Sequence, residues 1–362
     1  MTTTEFAVVG GGPAGLSAAI EAARAGVQVL LIDENERPGG QLFKQIHKFF
    51  GSKAQRAGVR GIDIGTQLLG EVEANGVQVW LNSVVWGLFS ERTVGVIHER
   101  KNYSVEAAKV LLATGAMENP LAFPGWTLPG VMGGGAIQTL VNVHRVLPGK
   151  RVLMVGSGNV GLIVSYQLLQ AGAEVVGVVE ALPKVGGYGV HASKLRRQGV
   201  PIWTRRTIKA AEGNGKVERA ITVALDEHWK EVPGTEQVLN VDVICLALGL
   251  TPLAELAWMA GCKFDYIPAL GGHVPVHDAD MQTTVPGIYV AGDVSGIEEA
   301  STAMEEGRLA GIAVAQSLGK LGAEEARKKK EEIYAGLEEL RSGPFGEARR
   351  NAKETVHARA ER

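Results

Sequence analysis

Three glycines, Gly10, Gly12 and Gly15, follow a short apolar run at residues 6–9 and open an Ala-rich stretch at 16–25. At this spacing Gly10 permits a tight turn, and Gly12 lets a pyrophosphate approach the backbone with no Cβ in the way. Gly15 lets a helix pack closely on the preceding strand. Pro13 and Ala14 fall at the start of that helix, where free N–H groups and the positive dipole end stabilise phosphate. Asp33 stands 23 residues beyond Gly10, after a second apolar run, with Glu34 beside it. A carboxylate there can accept hydrogen bonds from ribose hydroxyls.

The arrangement recurs. Residues 151–155 read as a strand, Arg-Val-Leu-Met-Val, followed by Gly156, Gly158, Asn159, Val160 and Gly161, a helical stretch at 162–170, and a strand ending at Glu180. Glu180 lies 24 residues beyond Gly156 rather than 23. One residue on a strand turns a side chain to the opposite face, unless a bulge restores it. Three further buried strands end in small residues: at Ala113, Thr114 and Gly115, at Gly249, and at Gly292 and Asp293.

The last of these decides the first ligand. The Asp293 carboxylate can bind a ribityl chain, and a helix after it can aim its N-terminus where negative charge forms on a reduced flavin. FAD is therefore expected on Gly10, Gly12, Pro13, Ala14, Gly15, Asp33, Glu34, Ala113, Thr114, Gly115, Gly292 and Asp293. The second glycine turn, with Glu180 and Gly249, is expected to hold NAD(H), or another adenine nucleotide held structurally, unless it is vestigial. No Arg cluster follows Glu180 and Lys184 is the one nearby cation, which favours NAD over NADP.

Two strand–turn–helix–strand units predict an α/β fold of two Rossmann-like dinucleotide-binding domains, each three-layered, the second inserted in the first. The expected FAD domain comprises residues 1–118 and 264–320. Residues 119–144 read as a Pro/Gly-rich linker and 145–263 as the NAD(H) or nucleotide domain. Residues 321–362 read as a charged helical C-terminal tail, either a solvated helix with a frayed end or a partner-docking helix.

Composition excludes several classes. With 37 basic and 39 acidic residues the formal charge is −2, unlike a dedicated nucleic-acid binder. Two cysteines in 362 residues exclude a disulfide-stapled scaffold, a zinc ribbon and an iron–sulfur ligand set, so no metal site is expected. No apolar run is long enough to span a bilayer, and the first residues lack a basic leader. A cytoplasmic protein with free thiols is expected.

Together these motifs resemble the two-dinucleotide-domain flavoproteins of the pyridine nucleotide-disulfide oxidoreductase superfamily, over about residues 5–320. The stretch 123–132 is similar to one branch, the FAD-binding subunits of heteromeric amine and opine dehydrogenases. Its members include subunits of sarcosine oxidase, opine oxidase, hydrogen cyanide synthase and dye-linked proline dehydrogenase. By this resemblance, Gly40 and Gln41 also approach the flavin, and Lys44 is a weak catalytic candidate that would tune its potential.

The resemblance implies an oligomeric assembly. Its other members would be a second flavoprotein dehydrogenase subunit, oxidising an amino acid, amine or opine, and a ferredoxin-like or iron–sulfur subunit. Electrons would pass between that partner and NAD(H) or another acceptor. The alternatives are a stand-alone NAD(P)H-dependent flavin oxidoreductase and a non-catalytic nucleotide-binding scaffold.

Three departures from the superfamily stand out. Residues 37–47 hold no cysteine, so the redox disulfide is missing, and Cys245 and Cys262 read as buried packing. Ile163 stands where many members carry a Glu near the nicotinamide. The C-terminal region lacks the Cys-rich module of some relatives, so an iron–sulfur centre would sit on another chain.

Overall fold

The computed structural model describes residues 2–49, 53 and 56–360, and the backbone alone at 344 and 345. The chain divides into two compact units, Met1–Met117 with Thr251–Arg362, and Glu118–Leu250.

The first segment of unit 1 runs β1 (Thr2–Val9), α1 (Pro13–Arg24), β2 (Val29–Ile32), α2 (Gly61–Ala74) and β3 (Gln78–Trp80). It continues with β4 (Val84–Phe89), β5 (Thr93–His98) and β6 (Lys101–Leu112). All four residues of β2, Val-Leu-Leu-Ile, are buried, as suits a parallel strand covered on both faces. The sheet order is β3-β2-β1-β6-β5-β4, parallel as far as β6, with the β4–β5 hairpin added antiparallel.

Unit 2 is a five-stranded parallel sheet. Its elements are β7 (Val131–Gly133), β8 (Arg151–Val155), α3 (Asn159–Gln170), β9 (Glu174–Glu180), β10 (Ile202–Thr204) and β11 (Val243–Leu246). The order is β10-β9-β8-β11-β7. A separate three-stranded antiparallel sheet, built from Arg206–Glu212, Arg219–Ala224 and Gln237–Asn240, completes the unit.

The chain then returns to unit 1 with β12 (Ile288–Val290), α4 (Ala300–Ser317), α5 (Ala323–Leu340) and α6 (Gly343–Ala360). β12 adds parallel to the C-terminal half of β6. α4 crosses α1 with the backbones nearly touching: a Cβ at Gly307 or Gly311 would overlap the carbonyl oxygen of Ala14 or Ala18.

Three stretches differ from their sequence-based reading. Residues 119–144 are no mere linker, because Phe123 and Ile137 are buried in the core of unit 2. Residues 251–263 belong with unit 1, where Ala254, Ala257 and Cys262 pack on its sheet. The C-terminal stretch is no solvated tail with a frayed end. Ala326, Ile333 and Leu337 of α5 join the main core, and Ala352 and Val356 of α6 pack on Leu270 and Val274. Among the described residues, no helix is long and apolar enough to cross a membrane.

Candidate functional site

Strand register brings the first set of residues to one sheet edge. Val9 pairs with Ile32 and with Leu112, and Leu112 pairs with Val290. The residues that follow, Gly10, Asp33, Ala113 and Ala291, therefore share the carboxyl edge, where open α/β sheets bind ligands.

Each motif glycine has its own steric reason. Gly10 has φ +102°, and a Cβ there would overlap the Ala113 carbonyl oxygen. A Cβ at Gly15 would overlap the Gly10 oxygen, so α1 sits directly on the turn. Gly12 differs: a Cβ there would meet nothing within 4 Å. It is the N-cap of α1, with no side-chain cap, and Pro13 starts the helix. Ala14 is buried against Gly292, whose φ is +77° and whose added Cβ would stand 2.9 Å from Ala14 Cβ.

Asp33 is buried, and Oδ2 accepts the Gly11 N–H at 2.6 Å. Its Oδ1 accepts the N–H and the side-chain amide of Asn35, each at 2.8 Å. Glu34 is exposed beside it. Gly39 donates its N–H to the Gly11 oxygen at 2.6 Å, and a Cβ at Gly40 would stand 2.9 Å from Gly12 Cα. The turn carrying Gly40, exposed Gln41 and half-buried Lys44 thus lies against the glycine loop. Thr114 Oγ1 donates to the Leu253 oxygen at 2.5 Å, and Leu253 donates its N–H to Gly115 at 3.0 Å.

Asp293 follows in the 3-10 turn Gly292–Ser295. Burial pushes its carboxyl up to about 6, helped by the negative Glu306, Glu298 and Glu299 and opposed by the Glu298 N–H. A group shifted in this way beside a ligand-binding edge is a candidate for a functional role.

Unit 2 repeats the geometry. Gly156 has φ +105° and would overlap the Ala247 oxygen if it carried a Cβ, Gly161 would overlap the Gly156 oxygen, and Gly158 faces open space. Gly158 caps α3 without a side-chain bond, Asn159 Oδ1 accepts the Tyr188 N–H at 2.9 Å, and Val160 is exposed. Glu180 is buried, and its Oε2 accepts the Ser157 N–H at 2.9 Å and the Ser157 hydroxyl at 2.6 Å. A bulge between Val175 and Gly177 absorbs the extra residue in the spacing. Gly249, at φ +95°, accepts the Asn119 N–H at 3.0 Å.

Two features escape sequence reading. Gly187 donates its N–H to the Ser157 oxygen at 2.8 Å, which repeats the Gly39–Gly11 bond of unit 1. The signal was a second Gly-Gly pair, at Gly186 and Gly187, after the acidic strand end. A second cation also lies near Glu180. Thr204 pairs with Glu180 across the sheet, so exposed Arg205 stands at the same edge as Glu180.

The model for the pyridine nucleotide-disulphide oxidoreductase family matches residues 4–307. The chain belongs to that family. Membership makes it an FAD-dependent oxidoreductase and implies a pyridine nucleotide as well. The open faces at Gly12 and Gly158, each beside an uncapped helix start and a buried carboxylate, fit two such dinucleotides.

Relatives of this oxidoreductase include an opine oxidase subunit from Agrobacterium tumefaciens, 32% identical over 87% of the chain and 66% of the relative. The hydrogen cyanide synthase subunit HcnB of Pseudomonas aeruginosa is 30% identical over 98% of the chain and 80% of the relative. Among solved structures, L-proline dehydrogenase from P. horikoshii superposes with a TM-score of 0.70 at 25% identity. That match covers 92% of this chain and 59% of the other. The thioredoxin reductase of T. acidophilum, with a TM-score of 0.73 at 22% identity, shares the fold. The chain thus spans just under two thirds of the opine oxidase relative.

The oxidoreductase departs from the disulphide in its family's name. Cys245 and Cys262 are both free and buried. Burial pushes both thiols up, and Cys262 also donates to Thr283 Oγ1 at 3.4 Å.

Proposed function

We propose that this chain is the FAD- and NAD-binding subunit of a heteromeric dehydrogenase. It would pass electrons between a partner subunit, which oxidises an amino acid, amine or opine, and NAD(H) or another acceptor. The observation that carries this reading is the convergence of Gly10, Asp33, Ala113 and Gly292 at one sheet edge around the open face of Gly12.

In unit 1, the N–H groups at the start of α1 hold the pyrophosphate, and Asp33 and Glu34 serve the ribose. Asp293 serves the ribityl chain, and the turn with Gly40 and Gln41 lies against the loop. Ala113, Thr114 and Gly115 form the floor. Bound FAD supplies hydride acceptance and one-electron chemistry; the protein positions it and sets its electrostatics. Lys44 closes the turn whose Gly40 end lies against the glycine loop, and the resemblance assigns it the tuning of the flavin.

In unit 2, Gly156, Gly158, Asn159, Val160, Gly161, Glu180 and Gly249 hold the second nucleotide. The Glu180 carboxylate repels a 2′-phosphate, which supports NAD(H) over NADP(H), against the opposing charges of Lys184 and Arg205. The identity to the opine oxidase relative and to HcnB supports a partner-dependent role, with a second flavoprotein subunit and an iron–sulfur or ferredoxin-like subunit completing the assembly. The absence of a redox dithiol in the chain supports the same conclusion, since electrons leaving the flavin need another carrier.

The test is purification with and without whatever co-purifies. The subunit reading predicts a yellow chain that oxidises small amines only when a partner subunit is present. A yellow single chain that turns over NADH with a dye at full rate overturns the partner requirement.

A further inference from the structure

We propose that Lys353, on the C-terminal helix α6, is a positioning residue for the cofactor: through Glu306 and Ser295 it locks the Gly292–Ser295 turn that presents Asp293. The inference rests on the reading above that this turn serves FAD.

Lys353 is a lysine with 1% exposure on a helix whose other charged residues, Glu347, Arg349, Arg350, Glu354 and Arg359, are exposed or half-buried. Its Nζ stands 2.7 Å from Glu306 Oε1, and it donates to the Ser295 oxygen at 3.0 Å and to Ser295 Oγ at 2.8 Å. Arg341, in the link between α5 and α6, donates to the same Glu306 oxygen at 2.6 Å and grips Glu298 through Nε and Nη2. Both lysine and arginine are therefore consumed by the segment around Asp293.

The other Glu306 oxygen does the local work. Oε2 accepts the Gly292 N–H at 3.0 Å and the Ser295 hydroxyl at 2.9 Å. Glu306 thereby fixes both ends of the turn, and Lys353 and Arg341 hold Glu306 ionised and in place. Asp293 lies inside that turn.

Energetics point the same way. A buried ion network adds little stability over apolar packing, because desolvating the charges offsets their attraction. Its value here lies in what it holds still. Gly292 must keep φ +77° beside Ala14, and an unsupported turn at that angle has many alternatives. The C-terminal helix thus supplies the supporting contacts that keep the site within the narrow tolerance ligand binding requires.

The experiment compares apo-protein variants reconstituted with FAD, by flavin fluorescence quenching and by hydrogen exchange of the 292–296 amides. Lys353→Met is expected to weaken FAD binding at least about tenfold, as lost bonds to a charged group do, and to speed exchange in that turn. Val356→Ala, from the same helix, is expected to lower the melting temperature while leaving both readouts unchanged. If Lys353→Met does not fold, the pair Lys353→Met with Glu306→Gln, which leaves no excess charge, is read in its place with the same expectation. Wild-type FAD affinity in the folded lysine variant overturns the positioning role, as does an equal loss in Val356→Ala. Gly12→Val separates the two levels. Loss of FAD there, with wild-type affinity in Lys353→Met, overturns the positioning role alone. Wild-type affinity in Gly12→Val overturns the cofactor reading and this inference with it.

Discussion

Glu180 accepts the backbone N–H of Ser157 at 2.9 Å, as Asp33 accepts that of Gly11 at 2.6 Å in the other unit. Glu180 reaches this place although its strand carries one residue more. The bulge between Val175 and Gly177 takes up that residue, so the carboxylate keeps its face. Deleting Val176 would leave every other β8–β9 pairing in register. The deletion is expected to cost about 1 kcal/mol for the lost half-buried side chain. Nucleotide affinity is expected to stay within about threefold of wild type, since the carboxylate's register is unchanged. Calorimetric titration with NADH checks this. Loss of binding in a folded protein would mean that the bulge itself touches the nucleotide.

The glycines of the first loop separate folding from binding. Gly10→Ala places a Cβ against the Ala113 oxygen at a left-handed φ and is expected to cost several kcal/mol. Gly12→Ala meets open space, so its melting temperature is expected to match wild type while FAD affinity falls at least about tenfold. Thermal melts with and without FAD distinguish the two. A Gly12→Ala protein with full FAD affinity would remove the pyrophosphate from that face.

The raised carboxyl of Asp293 has a pH signature. Its folded value of about 6 exceeds the ordinary 3.8, so the folded state holds the proton more tightly. Its contribution is fully present below about 4 and is lost as pH rises through about 6. In flavin-free protein, Asp293→Asn is expected to melt above wild type at pH 7.5, with the gap closing as pH falls toward 4. Thermal melts across that range measure it, and a gap independent of pH contradicts the buried-carboxylate account.

Arg205 is the residue most able to overturn the NAD(H) assignment, because Thr204 beside it pairs with Glu180. The Glu180 charge is expected to hold NADH affinity at least about tenfold above NADPH, since like charges brought together cost several kcal/mol. Arg205→Ala is expected to leave NADH binding unchanged. If NADPH binds as tightly as NADH in wild type and collapses in the Arg205→Ala variant, the second site is built for NADP(H).

What could be read from the chain alone follows physical uniqueness. Gly10, Gly15, Gly156 and Gly161 were legible because only glycine fits where the neighbouring carbonyl stands. The two parallel sheets were legible because runs such as Val29–Ile32 are apolar throughout. Gly186 and Gly187 were not legible as a counterpart of Gly39 and Gly40, because the bond that pairs them to the loop is made by backbone. Arg205 was hidden because it reaches Glu180's edge through strand pairing, not through sequence proximity. The packing of the C-terminal helices on this chain's own core is hidden because a run rich in Lys, Glu and Arg reads equally as a solvated or a partner-docking helix. Lys353 and Arg341 are buried only because Glu306 and Glu298 wait for them on another element.

On the proposed function, the pyridine nucleotide reduces the flavin held by the same chain. Anaerobic titration of the FAD-loaded protein with NADH, then with NADPH, followed at the flavin's visible absorbance band, tests it most directly. The account predicts stoichiometric bleaching by NADH, little by NADPH, and loss of bleaching in Glu180→Ala with the flavin retained. A flavin that neither nucleotide reduces, in a protein whose melting temperature neither nucleotide raises, would contradict it.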